Sequence, residues 1–358
     1  MTDIVVDTAG RPGLVQRIRR DYSPLVIVMV GLFLLVFLTG AVVTDDFLTW
    51  FNIKTIIRDA ALVGIMAIGL TFVTLSGNFF LLSMKEIAAL SIISFATLMS
   101  ADWNQWGVGP EGDPTSYSLV TTFMIALMVT MVIATIAGAV QGVLIGIGGN
   151  PIVVTLGAAG LFFGIGSWWS DNLVVSYRRP HGAEWLGTGS FIGDIPNITV
   201  AFIIIAVLAE LVLRYTTFGR QVYLVGANRA AGRATGHENF GMAIKCCIIA
   251  SVCAAFVAVA FSGQVSSAHV NYFSSEFGSS GDMTIMVIAI VMVGGNSIMG
   301  GYGSTLRSSL GAIFISTVDN MMVLNGFNSG ARVLAVGLMI VFSIIVFALV
   351  RRGSRAVE

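Results

Sequence analysis

Apolar runs of about 20 residues, parted by short polar stretches, set the rhythm of this chain. They fall at 24–44, 56–76, 80–100, 118–146, 151–169, 197–214, 242–264, 283–300, 305–325 and 331–350. As helices rising about 1.5 Å per residue, such runs match a hydrocarbon layer about 30 Å thick. Lipid offers backbone groups no hydrogen-bond partner, so a run that crosses it is a helix or part of a closed barrel. The pattern predicts an all-α polytopic membrane protein with about ten transmembrane helices, some of them interrupted. Residues 24–350 read as one membrane domain, 1–23 and 351–358 as tails, and about 214–241 as its long polar loop.

Composition agrees: AVILMFWYC residues make up 56% and charged residues 11%, against about 25% charged in soluble domains. The net charge is zero, so only the distribution of charge is informative. An even number of spans puts both tails on one side. Of the 19 Lys and Arg, 11 lie in the two tails and the 214–241 loop, and Lys85, Lys245 and Arg307 fall near span ends assigned to that side. By the positive-inside rule that side is the cytoplasm. The opposite loops are acidic, with Asp45, Asp46, Glu111, Asp113, Glu184 and Asp282, and Trp50, Trp103, Trp106, Trp168, Trp169 and Trp185 cluster there. Loops 101–117 and 170–196 are large enough to form a docking surface, or they are ordinary solvated loops. Cys246, Cys247 and Cys253 sit in or beside one apolar run, where free thiols pack as small hydrophobes.

Two runs carry the same interruption, Ser76-Gly77-Asn78 and Gly294-Gly295-Asn296, in the same orientation. Breaks at membrane depth survive where backbone is buried or lines a wet cavity. Asn78, Phe79, Asn296 and Ser297 are therefore expected to border a substrate route; the competing reading is glycines that let helices pack closely. In the polar loop, Asn228 is placed to cap a short helix and Gly236 to end it, with Arg229 and Arg233 four apart on one face. Such a cationic helix can dock on a partner, or the loop is simply solvated.

Membrane-depth charge is sparse: Lys85, Glu86, Glu210, Arg307 and Asp319. Lys85 and Glu86 are expected to point about 100° apart on a helix. No Gly-x-x-x-x-Gly-Lys-Ser/Thr loop occurs, three isolated histidines give no metal-ligand spacing, and no nucleophile set is evident. A pathway that takes its energy from elsewhere fits best, and a non-catalytic one. A secondary, ion-coupled transporter is the alternative, with Asp319 and Glu86 as its titratable candidates.

The run Thr217-Phe218-Gly219-Arg220, Gly226-Ala227-Asn228, Ala230-Ala231 and Gly236 resembles the cytoplasmic loop of ribose/xylose/galactose-type bacterial ABC importer permeases, within the branched-chain amino acid/ribose permease superfamily. Gly294-Gly295-Asn296-Ser297-Ile298-Met299-Gly300-Gly301-Tyr302-Gly303-Ser304 resembles that family's Gly-Gly-x-Ser-x-x-Gly-Gly-x-Gly-Ser signature, and Asn150-Pro151 through Gly157 its Pro-x-x-x-Thr-Leu-Gly segment. The likeness covers most of 140–350. The first half departs: Ser76 to Ser83 stands where the family has Gly-Gly-Ile-Asp-Leu-Ser, and the acidic residue is missing. The resemblance implies a multi-pass permease subunit in a bacterial inner membrane, importing a sugar, polyol or related small solute. It implies a second permease copy, identical or not, and a periplasmic or lipid-anchored substrate-binding protein. It also implies cytoplasmic ABC ATPase subunits that bind the ATP and Mg, this chain holding no cofactor and no nucleic acid. Thr217, Phe218, Gly219, Arg220, Asn228, Arg229, Ala231, Arg233 and Gly236 are then the residues coupling it to the ATPase.

Overall fold

The computed structural model describes residues 24–100, 116–177, 182–190, 194–236, 238–276 and 282–355. The chain is mostly helical. Helices α1 (Pro24–Val43), α2 (Trp50–Leu75), α3 (Met84–Ser100), α4 (Ser116–Gly146) and α5 (Pro151–Trp169) form the first half. A short strand β1 (Val175–Ser176), a one-turn helix α6 (Gly182–Gly187) and α7 (Asn197–Tyr215) follow. Two short helices, α8 (Thr217–Ala227) and α9 (Arg229–Ala234), occupy the polar loop. Then come α10 (Asn239–Val265), β2 (Ser267–Ala268), a π-helical turn Tyr272–Glu276, α11 (Met283–Val293), α12 (Thr305–Leu324) and α13 (Ser329–Arg355).

A helix lies over each expected run, and among the described residues five are long and apolar enough to cross a membrane: α2, residues 121–146 of α4, α5, α7 and α10. The centre is built by α2, α3 and α10. Every residue of α2 from Ala60 onward is buried, as is every residue of α3 from Ile87 to Ala96. Outward faces of α1, α4, α5, α7 and α13 carry exposed Leu, Ile, Val and Phe, as a lipid-facing rim requires. Small residues set the tightest contact. Gly138, Gly142 and Gly146, four apart on α4, face the backbone of α10; a Cβ at Gly138 would fall 2.7 Å from Cys247 O. Cys246 and Cys247 are buried and all three cysteines are free.

On the side expected to face outward, β1 and β2 pair antiparallel, Val175 opposite Ala268. Glu111, Asp113, Trp103 and Trp106 lie outside the described residues.

Two expectations need correction. Residues 294–300 are not helical: α11 ends at Val293 because Gly294 caps it. And Lys85, assigned to the cytoplasmic flank, forms an ion pair with Asp282, assigned to an outer loop. Residues in contact cannot lie on opposite sides of a membrane, so the two assignments do not both stand. Lys85 also reaches Glu86 Oε1 at 3.7 Å; its four-carbon stem spans the angle that separates the two Cβ directions.

Candidate functional site: the polar loop and two matched helix breaks

The two interruptions have one geometry. In the first, Ser76 caps α2, Gly77 takes φ +76° and donates to Thr74 O, and Asn78 N donates to Val73 O. In the second, Gly294 caps α11, Gly295 takes φ +73° and donates to Met292 O, and Asn296 N donates to Val291 O. Both are Schellman C-caps, with glycine at the left-handed C′ position. The sequence echo is therefore a structural repeat. Phe79 follows with φ +58°, uncommon backbone for an aromatic residue.

The breaks meet. Gly301 N donates to Leu75 O at 3.0 Å, and a Cβ on Gly300 would fall 2.7 Å from Gly77 Cα. The polar loop wedges into the same point. A Cβ on Gly226 would overlap Leu75 O and lie 2.8 Å from Gly301 N. Arg229 Nη2 donates to Gly77 O at 2.7 Å and to Asn78 Oδ1 at 3.1 Å, and Tyr223 Oη donates to Gly303 O at 2.8 Å.

Asn78 is buried, its amide nitrogen donating to Ser76 Oγ at 2.9 Å. Asn296, also buried, accepts from Ser304 N at 2.8 Å and donates to Ser308 Oγ at 2.8 Å. Ser308 Oγ in turn lies 2.6 Å from Thr71 Oγ1 on α2. Ser297 N donates to Tyr302 O at 2.9 Å, closing the glycine-rich loop on itself. The four residues expected beside a route are thus brought together with the loop, at one end of the bundle.

The loop's own fold follows from its caps. Asn228 Oδ1 accepts from Ala230 N and Ala231 N, starting α9, and Gly236 leaves it at φ +79°. Thr216 Oγ1 accepts from Gly219 N at 3.2 Å and starts α8. Gly219 admits the sharp turn from α7: a Cβ there would overlap the carbonyl of Leu213. Phe218 stacks on Phe72 at 6.2 Å and lies beneath the Lys245 ammonium at 5.9 Å. Ala231 is half-buried, whereas Thr217, Arg220, Arg229 and Arg233 are exposed. Arg229 and Arg233 share a helix, yet Arg229 is tied inward to the first break.

Glu210, which sequence reasoning held only as a sparse membrane charge, anchors the loop to the second break. Its side chain is 7% exposed; Oε1 pairs with Arg214, while Oε2 accepts from Thr305 N at 3.0 Å and Thr305 Oγ1 at 2.8 Å. That carboxylate sits at the N-terminus of α12, where backbone donors and the helix dipole favour a negative charge. Tyr223 was also missed. Its phenol is pushed up to about 12, chiefly by burial and then by the charge of Glu210, so it stays a donor at any physiological pH. No group of three or more His, Cys, Asp or Glu among the described residues could hold a metal.

A family profile described as branched-chain amino acid transport system / permease component matches residues 52–348. The chain belongs to this permease family. It is 27% identical to the ribose import permease protein RbsC of Bacillus subtilis over 320 residues, 88% of this chain and 90% of that protein. The autoinducer 2 import system permease protein LsrC of Salmonella paratyphi B is 26% identical over 281 residues, covering 78% and 73%. The probable ABC transporter permease protein y4mJ of Sinorhizobium fredii is 26% identical, covering 99% and 100%. No solved structure matches. With its long apolar helices, this permease is a multi-pass membrane protein.

Proposed function

We propose that this permease is the membrane subunit of an ATP-driven importer of a sugar, polyol or related solute in a bacterial inner membrane. In this reading the tails and the α8–α9 loop are cytoplasmic, about ten helices, some of them interrupted, make up the membrane domain, and two permease copies enclose the route. A binding protein delivers solute from outside, and separate ATPase subunits bind the nucleotide and Mg. The names of its relatives support the solute class.

The observation that carries the reading is the three-way joint of Gly77, Gly226 and Gly300. A two-helix element with exposed Arg220 and Arg233 is pinned, through backbone contacts that leave no room for a Cβ, to both helix breaks. A push on the loop moves both breaks together, because close-packed backbone transmits displacement instead of absorbing it. An ion-coupled carrier needs no such joint. Asn78, Phe79, Asn296 and Ser297 take their place in this reading as the hinge beside the route.

Replacing Arg220 and Arg233 with Glu tests it. Both side chains are exposed, so the fold tolerates the change, while a docked partner meets reversed charge at about 2–5 kcal/mol where the contact is buried. Uptake should be lost with the protein still inserted. Unchanged uptake together with unchanged co-purification of an ATPase would remove the coupling role.

A further inference from the structure

Lys85, Glu86 and Asp282 come together from parts of the chain almost 200 residues apart, and nothing in the joint uses them. Lys85 Nζ contacts Asp282 Oδ2 and lies 3.7 Å from Glu86 Oε1. Asp282 Oδ1 caps α11, accepting from Thr284 N at 2.9 Å, and Lys85 N donates to Thr284 Oγ1 at 3.3 Å. From Asp282 to the break at Gly294, α11 rises about 17 Å, roughly half the hydrocarbon thickness. The cluster therefore stands deep in the bundle, one helix length from the polar loop.

Its surroundings separate it from a sealed structural pair. On α3 everything from Ile87 to Ala96 is buried, yet the side chains of Lys85, Glu86 and Asp282 keep 21%, 12% and 27% of their surface. Ile285, one turn along α11 from Asp282, is 48% exposed. Charged groups left open at this depth face a wet cavity or another protein surface, not lipid tails. An ion pair kept only for stability gains little over apolar packing. Glu86 Oε2 is buried and has no hydrogen-bond donor among the described residues.

We propose that Lys85, Glu86 and Asp282 form a hydroxyl-binding site on the solute route, selecting neutral polyhydroxylated solutes over charged ones. One ammonium lies between two carboxylates. An anion meets two negative groups, and a cation must displace an ammonium that both carboxylates already hold. A hydroxyl suits both: it donates to the free Glu86 oxygen and accepts from Lys85, whose three donors are not exhausted by two contacts. Vicinal hydroxyls do this at two points at once. The inference deepens the importer reading and rests on it for the existence of a route.

The test uses the full chain in membranes, with Cys253 replaced by Ala and the buried Cys246 and Cys247 kept. Ile285→Cys places a reporter beside the cluster without touching its charges. A small hydrophilic methanethiosulfonate should label it, and a panel of erythritol, ribitol, D-ribose, D-xylose and D-galactose should include members that slow labelling about threefold at twice their Kd. Gluconate, choline and cyclohexanol should not. In a second chain, Lys85→Met with Glu86→Gln and Asp282→Asn removes all three charges without stranding any, and the protection should disappear while labelling persists. No protection by any member of the panel overturns the proposal, as does equal protection by gluconate or cyclohexanol, or protection that survives the triple substitution. ATP-driven uptake, measured in the same cells, separates the two readings: no protection in the chain that keeps the cluster, with intact ATP-driven uptake, removes the site alone, and protection with uptake driven by an ion gradient removes the importer alone.

Discussion

Gly226→Ala is the sharpest perturbation of the joint. The added methyl overlaps Leu75 O and falls 2.8 Å from Gly301 N, and both obstacles are backbone. Leu75 O and Gly301 N are also hydrogen-bonded to each other at 3.0 Å, so no rotamer change relieves the overlap; the loop must back away or the breaks must part. Overpacking of this kind costs about 1–3 kcal/mol, and separating the buried donor and acceptor adds about 1–3 kcal/mol if neither finds a new partner. Together they come to about 2–6 kcal/mol, concentrated at the joint and enough to dislodge α8 while the apolar helices stay inserted. The assay is ATP-driven uptake normalised to membrane-inserted protein, with Gly241→Ala as the control, since a Cβ at Gly241 meets nothing within 4 Å. Gly226→Ala should fall to a few per cent of wild type or below, and Gly241→Ala should transport normally. Equal uptake by the two variants refutes the wedge.

Removing the anchor should act on stability. Glu210→Ala leaves the buried Thr305 donors at the start of α12 without their acceptor, a loss of about 1–3 kcal/mol, to be read as a lower unfolding temperature in detergent; a shift of under a degree would show that the carboxylate holds nothing. Tyr223→Phe loses the bond to Gly303 O, about 0.5–1.5 kcal/mol. Because the folded phenol is raised to about 12 from about 10 unfolded, the unfolded chain releases this proton first as pH rises. Stability then falls across pH 10–12, and Tyr223→Phe should make that fall shallower; identical slopes for the two proteins contradict the burial of the phenol. Arg229→Lys keeps the charge but not the planar fork that spans Gly77 O and Asn78 Oδ1. It should lower uptake more than Arg233→Lys, and the reverse order would place the functional contact of α9 elsewhere.

Local features were legible wherever one residue decides a backbone state. Asn228 and Gly236 were readable as caps because few residues accept first-turn N–H groups or adopt a left-handed C′. The repeated Ser/Gly-Gly-Asn was readable for the same reason, since a Schellman turn needs glycine at one position. What could not be read is which of 41 glycines meet in space: the run around Gly226 carries a resemblance but does not name its partners, and the contact with Leu75 spans 151 residues of chain. Glu210 looked like an isolated carboxylate because its partners lie 95 residues on. Lys85 and Asp282 were misplaced for a different reason. Counting basic residues near span ends treats each lysine as a flank, whereas α11 has only 11 residues and Asp282 at its start meets Lys85 next to α3's first residue. An acidic residue is absent from the first break, and three charges stand a few residues later and across the fold.

Reconstitution tests the central claim most directly. The permease, purified with the ATPase that accompanies it from its host membrane, is placed in liposomes with its loop facing a lumen loaded with ATP and Mg. Solute and its binding protein are supplied outside, against matched liposomes holding a non-hydrolysable analogue or carrying proton and sodium gradients instead. The account predicts accumulation of a radiolabelled sugar or polyol only with hydrolysable ATP, and none with Gly226→Ala. Accumulation driven by either ion gradient in the absence of ATP, with Gly226→Ala as active as wild type, would contradict it.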